Sequence, residues 1–498
     1  MPNAQSEVSL LIHNATCVAT CDQDNPVQST EWRDASVLVR GHRIEWVGSA
    51  ADLPPTLLDA HRQSGGETIH AQGMLVTPGL VNTHHHMVQC LTRAIPQVQN
   101  AELFSWLQGL YPIWAGLTPD MVQVSNQVAM AELLLSGCTT SSDHLYIYPN
   151  GVRLDDSIHA ARQTGLRFVA TRGSMSVGQS QGGLPPDRVV EKEDAILKET
   201  QRLIEQYHRT EHGSMLNVAV APCSPFTVSR DLMRLSAELA RHYGTRLHTH
   251  LAENDHDLAY TREKFNCTPT QYVQDLGWLG SDVWHAHCVK LDEDGISLFA
   301  ASRTGVAHCP CSNMRLASGI APVRRMLDAG VPVGLGVDGS ASNDGAHLLN
   351  EARQAMLLAR VGRAIQPPET RTDPTTGQRR TFFGCDLGPA EMTARDALHL
   401  ATRGGARVLG RAHDIGHIAP GLCADLALWD LNTLGMAGGA VHDPVGALLL
   451  CASPQAAYTV VNGRVVVREG QLATVDLGPL IEQHNHMARQ LANSASLS

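Results

Sequence analysis

The 498-residue sequence has no uninterrupted apolar run long enough to cross a bilayer, and Met1 to Val8 lack the basic start and apolar core of a secretory leader. The expectation is a cytoplasmic protein. Clusters of Lys and Arg are also missing, and the formal net charge is -11, so neither nucleic acid nor an anionic membrane is expected as a partner. The twelve cysteines include no Cys-x-x-Cys pair; scattered through apolar segments, they are expected as reduced, mostly buried thiols rather than a disulfide framework. There is no repeat of solenoid period. The His-x-Glu and Pro-Cys-x-x-Cys elements of one zinc-deaminase class are absent, which excludes that fold on its ligands. What remains is a globular composition, 43% hydrophobic and 17% charged, with a small molecule as the expected partner.

The chain is organised around Leu75 to His86, an apolar run that ends in three histidines. A strand buried on both faces reads this way and releases its polar residues at its end. Because side chains alternate along a strand, His84 and His86 share a face and could bite one metal ion, while His85 points elsewhere. Ahead of this run lie short apolar stretches with a hairpin signal at Arg40-Gly41-His42, and β character returns after residue 415 with a hairpin at Asn462-Gly463. Between them, seven further strand candidates alternate with helical stretches. They are Gly137–Asp143, Leu166–Arg172, Leu216–Cys223, Arg246–His250, Asp282–His287, Gly305–Cys309 and Val333–Asp338. Eight strands in this rhythm predict an α/β fold, a (β/α)8 barrel over 75–414. Residues 1–74 and 415–498 are expected to form a small β-sandwich domain, with Met487 to Ser498 as a tail. The polar stretch Arg363 to Phe383 reads as an exposed insertion.

Strand ends of a barrel converge on one face. Here they carry His84, His86, His250, His287 and Asp338, a donor set that could hold a divalent ion and still admit a water. Spacing alone does not choose between His248 and His250, or between His285 and His287. Glu253, three residues past His250, is placed to return a carboxylate over that water and move its proton.

The motifs Pro78 to His86, His248-Thr-His-Leu-Ala-Glu253, Ala286-His-Cys288, His308 to Asn313, Gly336-Val-Asp-Gly-Ser340 and Pro420 to Asp425 together resemble the amidohydrolase superfamily. Within it they are similar to the cytosine/guanine-deaminase-like aminohydrolases, and Asn82 to Arg93, Ala221 to Phe226, Ser312 to Gly319 and Val337 to Asp344 are most similar to the bacterial 8-oxoguanine deaminases. The resemblance implies one divalent metal ion per chain, zinc with iron(II) as the alternative, held by His84, His86, His250 and Asp338. It implies Glu253 as proton shuttle, His287 as the group that orients or polarises the attacked centre, and Asp338 as a proton acceptor. The implied reaction is hydrolytic deamination of a heterocyclic base, 8-oxoguanine giving urate and ammonia, by a homo-oligomer. Two-metal relatives need a carboxylated lysine, and the fourth-strand candidate has none.

Gln89, Cys223 and Arg172 are the candidate substrate contacts, with Trp106 and Trp114 as possible stacking partners. Each has a structural alternative: Gln89 on a helix surface, Cys223 as a packed thiol, Arg172 in an ion pair, the tryptophans in the core. Guanine, isocytosine, S-adenosylhomocysteine or methylthioadenosine, and an amino-s-triazine are the other substrates considered. The remote alternative is an inactive scaffold.

Overall fold

A computed structural model describes residues 9–373, 375–386 and 391–494. Eight strands close a parallel barrel: β1 (Leu80–Asn82), β2 (Cys138–Leu145), β3 (Arg167–Ser174), β4 (Leu216–Pro222), β5 (Arg246–Leu251), β6 (Val283–His287), β7 (Gly305–His308) and β8 (Val333–Leu335). β2 to β7 match the stretches expected from the sequence to within one or two residues, and β1 and β8 are shorter pieces inside theirs, because strands covered on both faces are apolar along their length. Closure runs through the pair Leu335 and Asn82. The barrel floor is apolar, with Val81, Val169, Ala219, Trp284 and Ala307 packed against Val408 and Ile415. The polar residues are left to the opposite mouth.

The terminal segments meet in one nine-stranded sheet. Met74–Pro78 joins its two halves, pairing in parallel with Ser9–Ala19 and antiparallel with Leu426–Asp430. The run that opens the chain's central motif is therefore split: Met74 to Pro78 belongs to the sheet, and the chain passes at Gly79 into β1. The hairpin signals are realised at Arg40/Arg43 and Val461/Arg464. At the second, Asn462 and Gly463 take φ 51° and 80°, the left-handed pair that a two-residue turn requires.

Two segments differ from or add to the sequence reading. Met487, expected to begin a tail, lies inside a helix, Leu477–Ser494, which packs on the helix Pro119–Leu135 and on the 3-10 segment Met87–Thr92. Its apolar residues, such as Leu480 and Leu491, are buried there, and such pairing is not visible in a single helix's sequence. The polar stretch 363–383 is an exposed antiparallel hairpin of Glu369–Thr372 with Arg379–Phe382. Among the described residues no helix is long and apolar enough to cross a membrane.

Sheet and barrel are locked by a buried ion pair. Arg167 on β3 donates from Nε and Nη2 to the two carboxylate oxygens of Asp425, 2.9 Å each, and from Nη1 to the carbonyls of Gly213 and Ser214. Asp425 also accepts the Asn462 amide at 2.7 Å. Removing one partner leaves a buried, uncompensated charge, which costs about 3–5 kcal/mol. Asp425→Ala is therefore expected to lose about that much stability in urea unfolding, and a change below about 1 kcal/mol would show that the pair does not lock the two parts.

Candidate metal and catalytic site

The ends of β1 and β8 are stitched together beyond the barrel ladder. His85–His86 pairs in parallel with Asp338–Gly339, and the Asp338 amide donates to the His84 carbonyl at 3.1 Å. Alternation then works as expected: His84 and His86 face the mouth, and His85 turns away with its Nδ1 accepting the His86 amide at 2.9 Å. Residues Ala252, His287 and Asp338 adopt φ of 51°, 70° and 60°. Left-handed backbone at non-glycine residues costs energy and persists where the surroundings fix it; here it swings Glu253, His287 and Asp338 over the axis.

Each inward imidazole is tied down from behind. His86 Nδ1 donates to the His144 carbonyl at 2.7 Å and His250 Nδ1 to the Cys223 carbonyl at 2.6 Å. His84 Nδ1 faces His248 Nε2 at 2.8 Å. Of the two His-x-His pairs, His250 faces the centre while His248 stands behind His84, and His285 bonds outward to the Trp278 carbonyl at 3.1 Å. Burial pushes His250 down to about 3 and His84 well below the ordinary histidine range, so both rings are neutral.

With their Nδ1 protons held by carbonyls, His86 and His250 turn two Nε2 lone pairs toward each other at 3.1 Å. His84 Nε2 is buried without a partner, 3.3 Å from Asp338 Oδ1, which is also 3.4 Å from His86 Nε2. Converging lone pairs and one carboxylate oxygen make sense around a cation, and the N and O donors suit a divalent transition metal. Asp338 Oδ2 accepts hydroxyls from Ser312 and, at 3.2 Å, Ser342. Burial alone would raise the Asp338 pKa, but His84 and His287 hold it well below the carboxylate range.

Glu253 and His287 sit on the cavity side. Glu253 Oε2 is 3.4 Å from His287 Nε2 and its Oε1 has no partner. Burial raises its pKa to about 7, where a group can both take and give a proton near neutrality. His287 donates from Nδ1 to Asn313 Oδ1 at 2.9 Å. Burial disfavours its charged form, but Glu253 and Asp338 outweigh that and raise its pKa.

A narrow cavity lies above these groups. Trp106, Leu107, Phe226 and Leu316 close it, and Gln89, Tyr146, Cys223 and Ser224 supply polar edges. Gln89 lies against Gly339, where a Cβ would come within 1.8 Å of its Oε1, so a side chain there would push the Gln89 amide out of place. Cys223 lines the wall as a neutral thiol, its pKa pushed up to about 12 by burial. Trp106 lines the cavity, whereas Trp114 packs behind it, ring centroids 5.5 Å apart. Arg172 is not brought to the cavity. Its guanidinium bonds Glu191 at 2.8 Å and lies 4.0 Å over the Tyr148 ring, which is the ion-pair alternative.

Residue-by-residue reading missed His144, Ser312 and Ser342. His144 lies one residue beyond the expected end of β2; its ligand-type nitrogen falls within 4.8 Å of those of His84, His86 and His250, and its ring stacks 5.0 Å from His250. Its strand-end position was the available signal. The two serines act through hydroxyl bonds that no spacing announces.

A closed barrel with an open set of neutral imidazoles and a carboxylate at its mouth defines a metal-dependent hydrolase. The chain belongs to the amidohydrolase family, whose model matches residues 75–470, and it is a hydrolytic aminohydrolase. It is 44% identical to the 8-oxoguanine deaminase of Pseudomonas aeruginosa, over 84% of this chain and 87% of that protein. It is 34% identical to an isoxanthopterin deaminase of an unknown prokaryotic organism, over 99% of each. The atrazine chlorohydrolase of Arthrobacter aurescens TC1, solved with zinc, superimposes with a TM-score of 0.84 at 33% identity, covering 96% of this chain and 100% of that one.

Burial of so many neutral imidazoles has a consequence for stability. His85, His250, His285, His308, His399, His417 and His484 all have pKa values lowered to about 3 or 4 by burial. As pH falls below about 6.5 the unfolded chain binds protons that the folded one refuses, so folding weakens. Asp143, Glu253, Asp257 and Glu351, raised to about 6 or 7 by burial, run the other way, but they are fewer. The metal-free protein is expected to lose stability steadily from about pH 6.5 to 5; urea midpoints that stay flat or rise over that interval would refute it.

Proposed function

We propose that the protein deaminates a purine-like base hydrolytically, with 8-oxoguanine as substrate and urate and ammonia as products, using one zinc ion held by His84, His86, His250 and Asp338. The observation that carries this reading is Glu253: buried, raised to about 7 by that burial, and carrying an unpartnered Oε1 on the wall of the cavity. Its similarity to the Pseudomonas aeruginosa enzyme supports the choice of base, and the three-imidazole donor set supports zinc.

A divalent ion bound there supplies Lewis acidity that makes water a competent nucleophile near neutral pH. The chain does the rest. Glu253 accepts a proton at Oε1 from the attacking water and returns it to the ring nitrogen of the substrate's amidine. His287, from Nε2, donates to charge growing on oxygen at the attacked carbon. Asp338 takes the second proton at Oδ2 and passes it to the departing amine, which leaves as ammonia while the carbonyl forms. The Gln89 amide offers both a donor and an acceptor to a base edge. A cavity walled by Trp106, Phe226 and Leu316 suits a flat aromatic base.

Ammonia release by the zinc-loaded enzyme is the direct test, with 8-oxoguanine, isoxanthopterin, guanine, isocytosine, S-adenosylhomocysteine and an amino-s-triazine compared by kcat/KM. Preference for 8-oxoguanine is expected. Preference for the nucleoside would discard the base pocket and keep the metal chemistry, and no turnover across the panel would discard the enzyme reading. Glu253→Gln is expected to lower kcat by at least about 10²–10⁴-fold, the range for a lost general acid–base, while about one zinc per chain remains bound. Undiminished turnover would remove Glu253 from the mechanism.

A further inference from the structure

His86 and His250 are oriented by backbone carbonyls, which no substitution removes. His84 is oriented by a side chain. We propose that His248 is a positioning residue that fixes the tautomer and aim of His84 and thereby sets the affinity of the site for its metal. The proposal rests on reading His84 as a metal ligand.

The tautomers follow by elimination around a ring of hydrogen bonds. The Trp284 carbonyl can only accept, so His248 Nδ1, 3.0 Å away, carries a proton. A neutral imidazole then has a bare Nε2, which accepts from His84 Nδ1 across 2.8 Å. His84 in turn is left with its lone pair on Nε2, the buried atom that has no protein partner and faces Asp338. The ring closes through Trp284, whose indole N–H donates to the carbonyl of Thr83 at 3.1 Å, one residue ahead of His84. The indole also stacks on His248, centroids 4.5 Å apart and planes 15° from parallel. His84, His248 and Trp284 are fully buried, so bulk water is not at hand to replace a lost bond. Partners of this kind orient ligating histidines and raise their basicity, and losing one costs about 10–100-fold in metal affinity.

Three substitutions separate this role from simple packing. His248→Gln can still present an acceptor where Nε2 stood. His248→Asn can bond the Trp284 carbonyl but falls short of His84. His248→Phe keeps the ring on Trp284 and removes both nitrogens. Zinc affinity is read by chelator competition, and melting of the metal-free proteins is read alongside.

Gln is expected to hold zinc within a few-fold of the wild type, with Asn and Phe weaker by about 10–100-fold. Melting of the metal-free proteins is not expected to follow that order. Wild-type affinity in Asn or Phe, or Gln as weak as Asn, would overturn the proposal; if Phe does not fold, Asn against Gln decides. Affinities that merely track apo melting would overturn it too, since packing loss alone produces that pattern. A wild-type chain that takes up no zinc would instead remove His84 as a ligand and end the metal reading itself.

Discussion

The molecule depends on keeping a crowd of imidazoles neutral inside a dry barrel mouth. A protonated ring there would bring an unpaired charge into low dielectric and destroy the lone pair that makes it a ligand. Burial supplies the first half of the solution by driving His84 and His250 far below the ordinary histidine range. Hydrogen bonding supplies the second. Each Nδ1 proton has one acceptor behind it, so each Nε2 has one direction to face. Charge is admitted on the carboxylates and favoured on His287, whose pKa Glu253 and Asp338 raise; Asp338 keeps its own because two hydroxyls and the neighbouring rings stabilise it.

That arrangement is held from outside the barrel. The strand Met74–Pro78 is clamped between N- and C-terminal strands of the sheet and runs directly into β1, so the sheet sets where His84 emerges. Arg167 and Asp425 tie the same sheet to β3. The C-terminal helix presses on Met87–Thr92, the segment that carries Gln89 beside Gly339. A residue remote in sequence from the site can therefore shift His84 or Gln89 without touching either.

Much of this was legible in the sequence. Apolar runs ending in histidine give away buried strands and their mouths, so all eight strands and the facing of His84 and His86 against His85 follow from alternation. The terminal β segments could be paired because Asn462-Gly463 and Arg40-Gly41-His42 leave few turn conformations. What stayed hidden is whatever depends on backbone outside the strand region. The left-handed residues at Ala252, His287 and Asp338 decide which side chain of the loop returns to the axis, and no local pattern encodes that choice. Arg172 ends a strand as a substrate contact would, but Glu191 lies 19 positions on and packs against it only in the fold. Met487 to Ser498 was read as a tail because the apolar face of the helix Leu477–Ser494 matters only once the helix Pro119–Leu135 lies opposite.

One physical quantity, the removal of water, sets two opposite proton affinities in this site. Burial lowers the histidines and raises Glu253, because in each case the neutral form is the one that tolerates a dry surrounding. In the proposed reaction, a flat base entering beneath Trp106 and Leu316 would displace what water remains and push the proton affinity of Glu253 further in the direction burial already sets. The imidazoles, already neutral and already bonded through Nδ1, have nothing left to change. On the proposed roles, occupancy of the cavity would act on Glu253 and leave the neutral imidazoles unchanged.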